Sequence, residues 1–265
     1  MAALTDRVIR GEGCGEAVWL PWLQTLPTQP VTLDDLVPIG KRLVVVAPHP
    51  DDEILVCGAL IALQAQAGGK LLVVYVTDGE ASHGRIGATA RRALAENRRQ
   101  ESELGLATLG ATNAAAVRLN MGDGLVAASG TPLWSKLLQI LQASDVVVTT
   151  WALDGHPDHE ATSRVTAMAC KLVGCEVIEA PVWMWHWSQP RDPRVPFSTL
   201  VGLPVSPLVA HAKQAALLCH KSQLSVNLYR STPVLGQAIR QRVARPVEYF
   251  FASGALRERL QPRLL

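Results

Sequence analysis

Apolar and polar positions along this chain fall into two alternating patterns, short uninterrupted apolar runs and longer segments with helical spacing. Leu43 to Val46, inside a strand-like segment from Arg42 to Pro48, has no polar break and reads as a strand buried on both faces. Residues 53–67 follow with apolar side chains at helical intervals and stop at Gly68-Gly69, after which Lys70 to Thr77 is again strand-like. A loop over 78–87 leads into a long Ala-, Arg- and Glu-rich helix from about Thr89 to Leu109, closed by Gly110, and then a short strand near 115–119. Helix 133–142, strand 145–150, helix 159–173 and strand 175–180 continue the alternation. Strands separated by helices in this order pair in parallel through crossovers. The fold class expected is therefore α/β, a Rossmann-like three-layer sandwich with a mostly parallel central sheet.

The flanks are less regular. Residues 1–40 hold Trp19, Trp22 and several prolines without sustained periodicity, and are expected as an N-terminal extension packed on a single domain that spans 1–265. After Pro181 the run Val182-Trp183-Met184-Trp185-His186-Trp187 alternates, and a strand there would place all three indoles on one face. Such a face suits a core or a subunit contact, with stacking on a sugar as the functional alternative; a homo-oligomer is left open. A helix to about Lys221 and a mixed tail follow.

Composition narrows the function classes. Hydrophobic residues make up 48% of the chain and the net charge is +2, with Lys and Arg scattered, so the basic stripe of a nucleic-acid-binding protein is missing. No apolar stretch reaches membrane-spanning length and no secretory leader pattern opens the chain, so the expectation is a cytoplasmic protein without membrane insertion. The five cysteines, Cys14, Cys57, Cys170, Cys175 and Cys219, are an odd set without a Cys-x-x-Cys pair, and read as reduced, mostly buried thiols.

Two strand ends carry the chemistry. His49-Pro50-Asp51-Asp52-Glu53 follows the first apolar run and His156-Pro157-Asp158-His159-Glu160 follows a later one, each before a helix. Ligands of parallel α/β sheets sit at the carboxyl ends of strands, so the two turns can converge. Two imidazoles and one carboxylate form a known catalytic zinc set that leaves a position for water, whose pKa falls from about 15.7 toward about 7. If His49 and Asp52 face one way, Asp51 points elsewhere, so one aspartate binds metal while the other stays free as a base. Of His156 and His159, one imidazole can coordinate while the other faces the reacting carbonyl, where a protonated ring would stabilise the oxyanion and protonate the leaving amine.

Each signal has a plainer reading. Aspartates before a helix cap it and complement its dipole, although recurrence of the device at a second strand end favours metal. Glu53 divides between a supporting and a dipole role. Arg98 lies among Arg91, Arg92 and Arg99, where solvated helix charge is the default, and His83 reads as an exposed loop residue. His211 and His220 read as packing or surface histidines, with His220 the more interesting.

These residues carry a resemblance to the PIG-L/LmbE family of zinc-dependent deacetylases, which act on N-acetylglucosamine-type amides. The likeness runs through His49 to Glu53, Thr77-Asp78-Gly79-Glu80, Arg98-x-x-Glu101, Asn120 to Asp123 and Asp154 to His159, with a weaker match in His220-Lys221-Ser222-Gln223. The resemblance implies His49, Asp52 and His159 as metal ligands and Asp51 as general base. It further implies His156 as general acid or oxyanion donor, Asp158 as the residue orienting a catalytic imidazole, and Arg98 and Asp123 as substrate-binding groups. The cofactor implied is Zn²⁺, with another divalent ion as the alternative, and the partner is a small-molecule amino-sugar conjugate. The expected activity is hydrolysis of an N-acetyl or N-acyl group. A metal-dependent phosphoesterase and an inactive sugar-binding relative are the rivals, and a Rossmann cofactor enzyme is disfavoured because the first strand ends without the glycine fingerprint. Segments before Arg42 and after Ala180 lie outside the resemblance, which leaves the wall that selects substrate unassigned.

Overall fold

Strands Arg42–Ala47, Leu71–Tyr75 and Asp145–Thr150 lie side by side within one sheet in the computed structural model, which describes residues 7–226 and 228–261. The first six residues of the N-terminal extension and the last four of the chain fall outside the described residues. In chain order the strands are β1 (Gln29–Pro30), β2 (Arg42–Ala47), β3 (Leu71–Tyr75), β4 (Ala115–Arg118), β5 (Asp145–Thr150), β6 (Glu176–Ala180), β7 (Leu200–Pro204) and β8 (Val247–Phe251). The helices are α1 (Glu16–Thr25), α2 (Leu33–Leu36), α3 (Asp52–Gln66), α4 (Ala88–Thr108), α5 (Gly130–Ile140), α6 (Pro157–Val173), α7 (Met184–Trp187), α8 (Pro207–Leu217), α9 (Lys221–Leu224), α10 (Gln237–Val243) and α11 (Gly254–Leu260).

The sheet order is β1-β7-β8-β6-β5-β2-β3-β4, parallel except where β8 runs against β6 and β7. This is the mostly parallel α/β fold expected. Its three layers follow from strand pleating: Leu43, Val45 and Ala47 of β2 enter one apolar cluster with Ile54, Leu60 and Ile61 of α3, whereas Val44 and Val46 enter a second with Leu133 and Leu137 of α5. Strands β3 and β5 divide their valines in the same manner. Helix α3 therefore covers one face and α6, which contributes Ala169 and Cys170, covers the other. Because β2 and β5 are neighbours whose following helices leave to opposite faces, a crevice opens at their carboxyl ends.

Three features depart from the periodicity. Helix α3 is broken at Cys57, which has φ −153° and ψ 35°, and the N–H groups of Ala59 and Leu60 freed there donate to Glu248 at 2.9 and 3.0 Å. Glu248 is in turn paired with buried Lys213. Second, the alternating run 182–187 forms a bend and then a helical turn over 184–187 and not a strand, because the Asp154 carboxylate accepts the N–H groups of Val182, Trp183 and Met184 at 2.9, 3.0 and 3.0 Å. The three indoles consequently diverge, with Trp185 edge-on to Trp19 at 4.9 Å and Trp187 stacked on Trp151 at 6.5 Å. Third, the segment before β2 enters the fold: β1 pairs with β7, and Trp19, fully buried, donates its indole N–H to the Trp185 carbonyl at 2.9 Å. Among the described residues no helix is long and apolar enough to cross a membrane.

Candidate metal centre and active site

The turn after β2 is built around a strained residue. Asp51 has φ +125°, a region that costs a non-glycine residue about 1–3 kcal/mol and persists only when its surroundings impose it. Its N–H donates to the Glu53 carboxylate at 2.9 Å, and its own carboxylate accepts from Arg98 Nη2 at 3.0 Å rather than capping α3. Plain helix capping by Asp51 is thereby replaced by an ion pair. This backbone twist turns Asp51 and Asp52 apart. Asp52 Oδ2 accepts the His49 N–H at 3.0 Å and lies 3.1 Å from His49 Nδ1 and 3.3 Å from His159 Nε2.

His159 arrives from the turn after β5. Its Nδ1 lies 2.9 Å from Asp154 Oδ2, so the carboxylate fixes the ring with Nε2 toward Asp52. His156 is the N-cap of α6, accepting the Asp158 N–H on Nδ1 at 3.3 Å. An acceptor at Nδ1 places the proton of a neutral ring on Nε2.

The donor set fits a metal ion. Bonds of about 2.0–2.2 Å in a tetrahedral zinc site separate neighbouring ligand atoms by about 3.3–3.6 Å, close to the spacings from Asp52 Oδ2 to the two imidazoles. Each of those rings also presents its other nitrogen to a carboxylate, the arrangement that orients metal-binding histidines. For His49 these are Asp123 Oδ1 at 3.2 Å and Asp158 Oδ2 at 3.3 Å from Nε2. Two overlapping groups of ligand atoms lie within 4.8 Å of one another, His49 with His156 and His159, and His49 with Asp123 and Asp158. Three buried or half-buried carboxylates, Asp52, Asp123 and Asp158, thus demand positive charge among them.

The ionisation pattern follows that demand. Burial pulls His49 down, but hydrogen bonds to Asp123, Asp158 and Asp52 outweigh it and hold the ring well above its ordinary value. For His159 burial is overcome by Asp52 and Asp154, giving about 9. Burial would raise Asp52, yet His159 and His49 keep it far below the usual carboxylate range. Asp51 is pushed by burial to about 7, with Arg98 opposing the rise. His156 is driven by burial, then by the charges on His159 and His49, down to about 3. With His159 and His49 both charged, the ring is held neutral near neutral pH.

The eight residues singled out in the sequence gather at the crevice. Arg98, anticipated at the substrate, is only 2% exposed, and its hydrogen bonds go to protein: Asp51, the Pro50 carbonyl, and the Gly79 carbonyl at 2.8 Å. Gly79 has φ +66°, and a Cβ there would stand 1.8 Å from Arg98 Nη1, so only glycine admits this approach. Asp123, also anticipated at the substrate, faces His49 and accepts the Ala81 N–H at 2.8 Å. The Asp158 carboxylate meets the imidazole of His49, and accepts N–H groups of Gly124 and Val126 at 2.7 and 3.3 Å.

Other contributors carried weaker signals. Asp154 was visible only as part of a motif, yet it anchors His159 and three backbone N–H groups. Glu53 is fully buried, accepts from Tyr75 Oη at 3.1 Å and is raised to about 8 chiefly by burial. His220 is fully buried with its Nε2 3.8 Å from Glu53, and Glu101 accepts both the N–H and Oγ–H of Ser222 at 2.7 Å. His83 is half-buried, its Nε2 3.0 Å from the Ser222 carbonyl, not an exposed loop residue. The resulting cavity has a volume of about 530 Å³ and is lined by the His/Asp cluster together with residues 9–12 and parts of the 230–239 segment.

The chain is similar to several known proteins. The family described as PIG-L: GlcNAc-PI de-N-acetylase matches residues 44–170. The uncharacterized deacetylase YaiS of Escherichia coli (strain K12) is 29% identical over 140 residues, which cover 50% of this chain and 70% of that protein. The conserved protein TT1542 from Thermus thermophilus is 25% identical with a TM-score of 0.56, over 80% of this chain and 94% of that one. N,N′-diacetylchitobiose deacetylase from Pyrococcus horikoshii shares the fold at 17% identity and a TM-score of 0.57, over 88% and 91% of the two chains.

Proposed function

Since residues 44–170 are a PIG-L family domain, we propose that the protein is a metal-dependent deacetylase that hydrolyses the N-acetyl group of an amino sugar or its small-molecule conjugate. The observation that carries this reading is the placement of Asp52 Oδ2 between His49 Nδ1 and His159 Nε2, at 3.1 and 3.3 Å, while neighbouring Asp51 is turned to Arg98. One carboxylate is thereby available as a ligand and one as a base. His49, Asp52 and His159 would hold the ion, Zn²⁺ by donor type, and when bound it supplies Lewis acidity for the acyl carbonyl and for water.

The chain's own groups then divide the proton work. Asp51 accepts a proton from the attacking water as the new C–O bond forms. His156, neutral and with its proton on Nε2, donates a hydrogen bond to the oxyanion. Asp51 returns the proton to the amine nitrogen as the C–N bond breaks, releasing a carboxylate and a free amine. Arg98 acts through Asp51 and is a positioning residue. Asp154 does the same for His159, and Asp123 and Asp158 for His49.

The His49-Asp123-Asp158 grouping gives a specific observation in favour of the two-metal phosphoesterase alternative. It is the weaker reading because both groupings share His49. A neutral imidazole offers one lone pair, so ligation through Nδ1 leaves Nε2–H as a donor to Asp123 and Asp158. The test is metal stoichiometry together with amine release from a panel of N-acetyl amino sugars, with Asp51→Ala alongside. One equivalent of metal and Asp51-dependent release are expected. Two equivalents with phosphate release from phosphoesters would overturn the proposal.

A further inference from the structure

Every residue assigned above as ligand or base lies within the family-matched residues 44–170, whereas the same cavity is also lined by segments outside them. Resting on the deacetylase reading for its choice of probes, we propose that residues 9–12 are the substrate-selecting wall of this cavity, that Glu12 is the positioning residue fastening it, and that the wall restricts turnover to compact amino sugars.

The N-terminal segment is tied across the crevice at successive points. Arg7 Nη2 donates to Glu160 Oε1 at 2.7 Å, next to His159. The Arg10 carbonyl lies 3.0 Å from His186 Nε2, and the Cys14 N–H donates to the His186 carbonyl at 3.0 Å. Arg242 Nη2 donates to the Cys14 carbonyl at 2.9 Å. Between these ties, Glu12 Oε2 accepts the Ala238 N–H at 3.2 Å, joining residues 9–12 to the 230–239 segment, which also lines the cavity.

Two glycines make the fit specific. A Cβ on Gly236 would stand 2.8 Å from Glu12 Oε1, and one on Gly13, where φ is +62°, would stand 2.5 Å from His186. At Gly13 the His186 ring and carbonyl leave no room for a side chain, and at Gly236 the end of the Glu12 side chain lies against the glycine. A cavity of about 530 Å³ lined by this segment is the size that buries a small molecule, so on this proposal a large group attached to the sugar meets residues 9–12. Losing the Glu12 tie should free the wall while leaving the metal-binding cluster intact.

The experiment compares wild type, Glu12→Ala and Glu12→Gln. Selectivity is the ratio of kcat/KM for amine release from an N-acetylglucosaminide with a bulky aromatic aglycone to that from N-acetylglucosamine. The same ratio is read as Kd for the two corresponding free amines, which needs no turnover. Exchange of the Cys14 amide hydrogen reports the segment without any ligand. Glu12→Ala is expected to shift selectivity toward the bulky compound by about tenfold and to speed Cys14 exchange, with Glu12→Gln, which keeps an acceptor oxygen, near wild type. An unchanged Cys14 exchange rate in Glu12→Ala, or unchanged selectivity in whichever of the two ratios the protein yields, overturns the wall. Absence of amine release by wild type from every substrate would sink the deacetylase reading, and the exchange and Kd measurements would still decide the wall.

Discussion

Arg98 Nη2 donates to Asp51 Oδ2 at 3.0 Å across the first turn of the sheet, and the same guanidinium takes up the carbonyls of Pro50 and Gly79. One buried cation thereby stabilises a residue at φ +125° and aims its carboxylate into the crevice, away from the ligand position of Asp52. A planar fork does this; a point charge does not.

Arg98→Lys is accordingly expected to keep metal content at wild-type level and to reduce kcat/KM about 100-fold, the scale associated with displacing a reacting group by about 1 Å. Gly79→Ala should behave alike, since its Cβ would occupy the space of Nη1. Steady-state kinetics beside metal analysis checks both. Loss of metal in Arg98→Lys would mean that the arginine supports the ligands and not the base.

Asp154 orients His159 through Nδ1 at 2.9 Å. Asp154→Asn should weaken metal affinity about 10–100-fold, as replacement of a partner behind a ligating histidine typically does. Competition against a chromophoric chelator measures this, and an affinity equal to wild type would remove His159 from the ligand set.

Removal of metal should lower thermal stability, because Asp52, Asp123 and Asp158 then lose a cation that balances them. Restoring Zn²⁺ to a thousandfold excess over its Kd should return about 4 kcal/mol. Calorimetry of chelated and reloaded protein gives the comparison. His159→Ala should lose most of this response, and a full response in that variant would place the ion elsewhere.

Trp19 is fully buried against Trp185 and Phe197, from a segment that precedes the family-matched residues. We propose that the N-terminal segment and the sheet form one cooperative unit, so Trp19→Ala should cost about 3–5 kcal/mol in a single unfolding transition. Denaturant unfolding followed by fluorescence and by circular dichroism tests this. A main transition that stayed at its wild-type midpoint would make the segment an appendage.

The sequence by itself determined the elements whose causes are local. Uninterrupted runs such as Leu43 to Val46 and helical spacing such as that after Glu53 depend on neighbours within a few residues, so the strands and helices between Arg42 and Ala180 and the two strand-end motifs could be read directly. Tertiary structure alone decided what depends on residues distant along the chain. The insertion of β8 against β6 and β7 needs the finished sheet, and the helical turn at 184–187 needs the Asp154 carboxylate, which overrode an alternating pattern. Arg98 was indistinguishable from its neighbours Arg91, Arg92 and Arg99 until packing buried it beside Asp51. The positive φ of Asp51, the assignment of Asp123 and Asp158 to His49, and the seating of residues 9–12 over the cavity arise in the same way. Each is set by a partner tens to hundreds of residues away, and periodicity carries no record of such a contact.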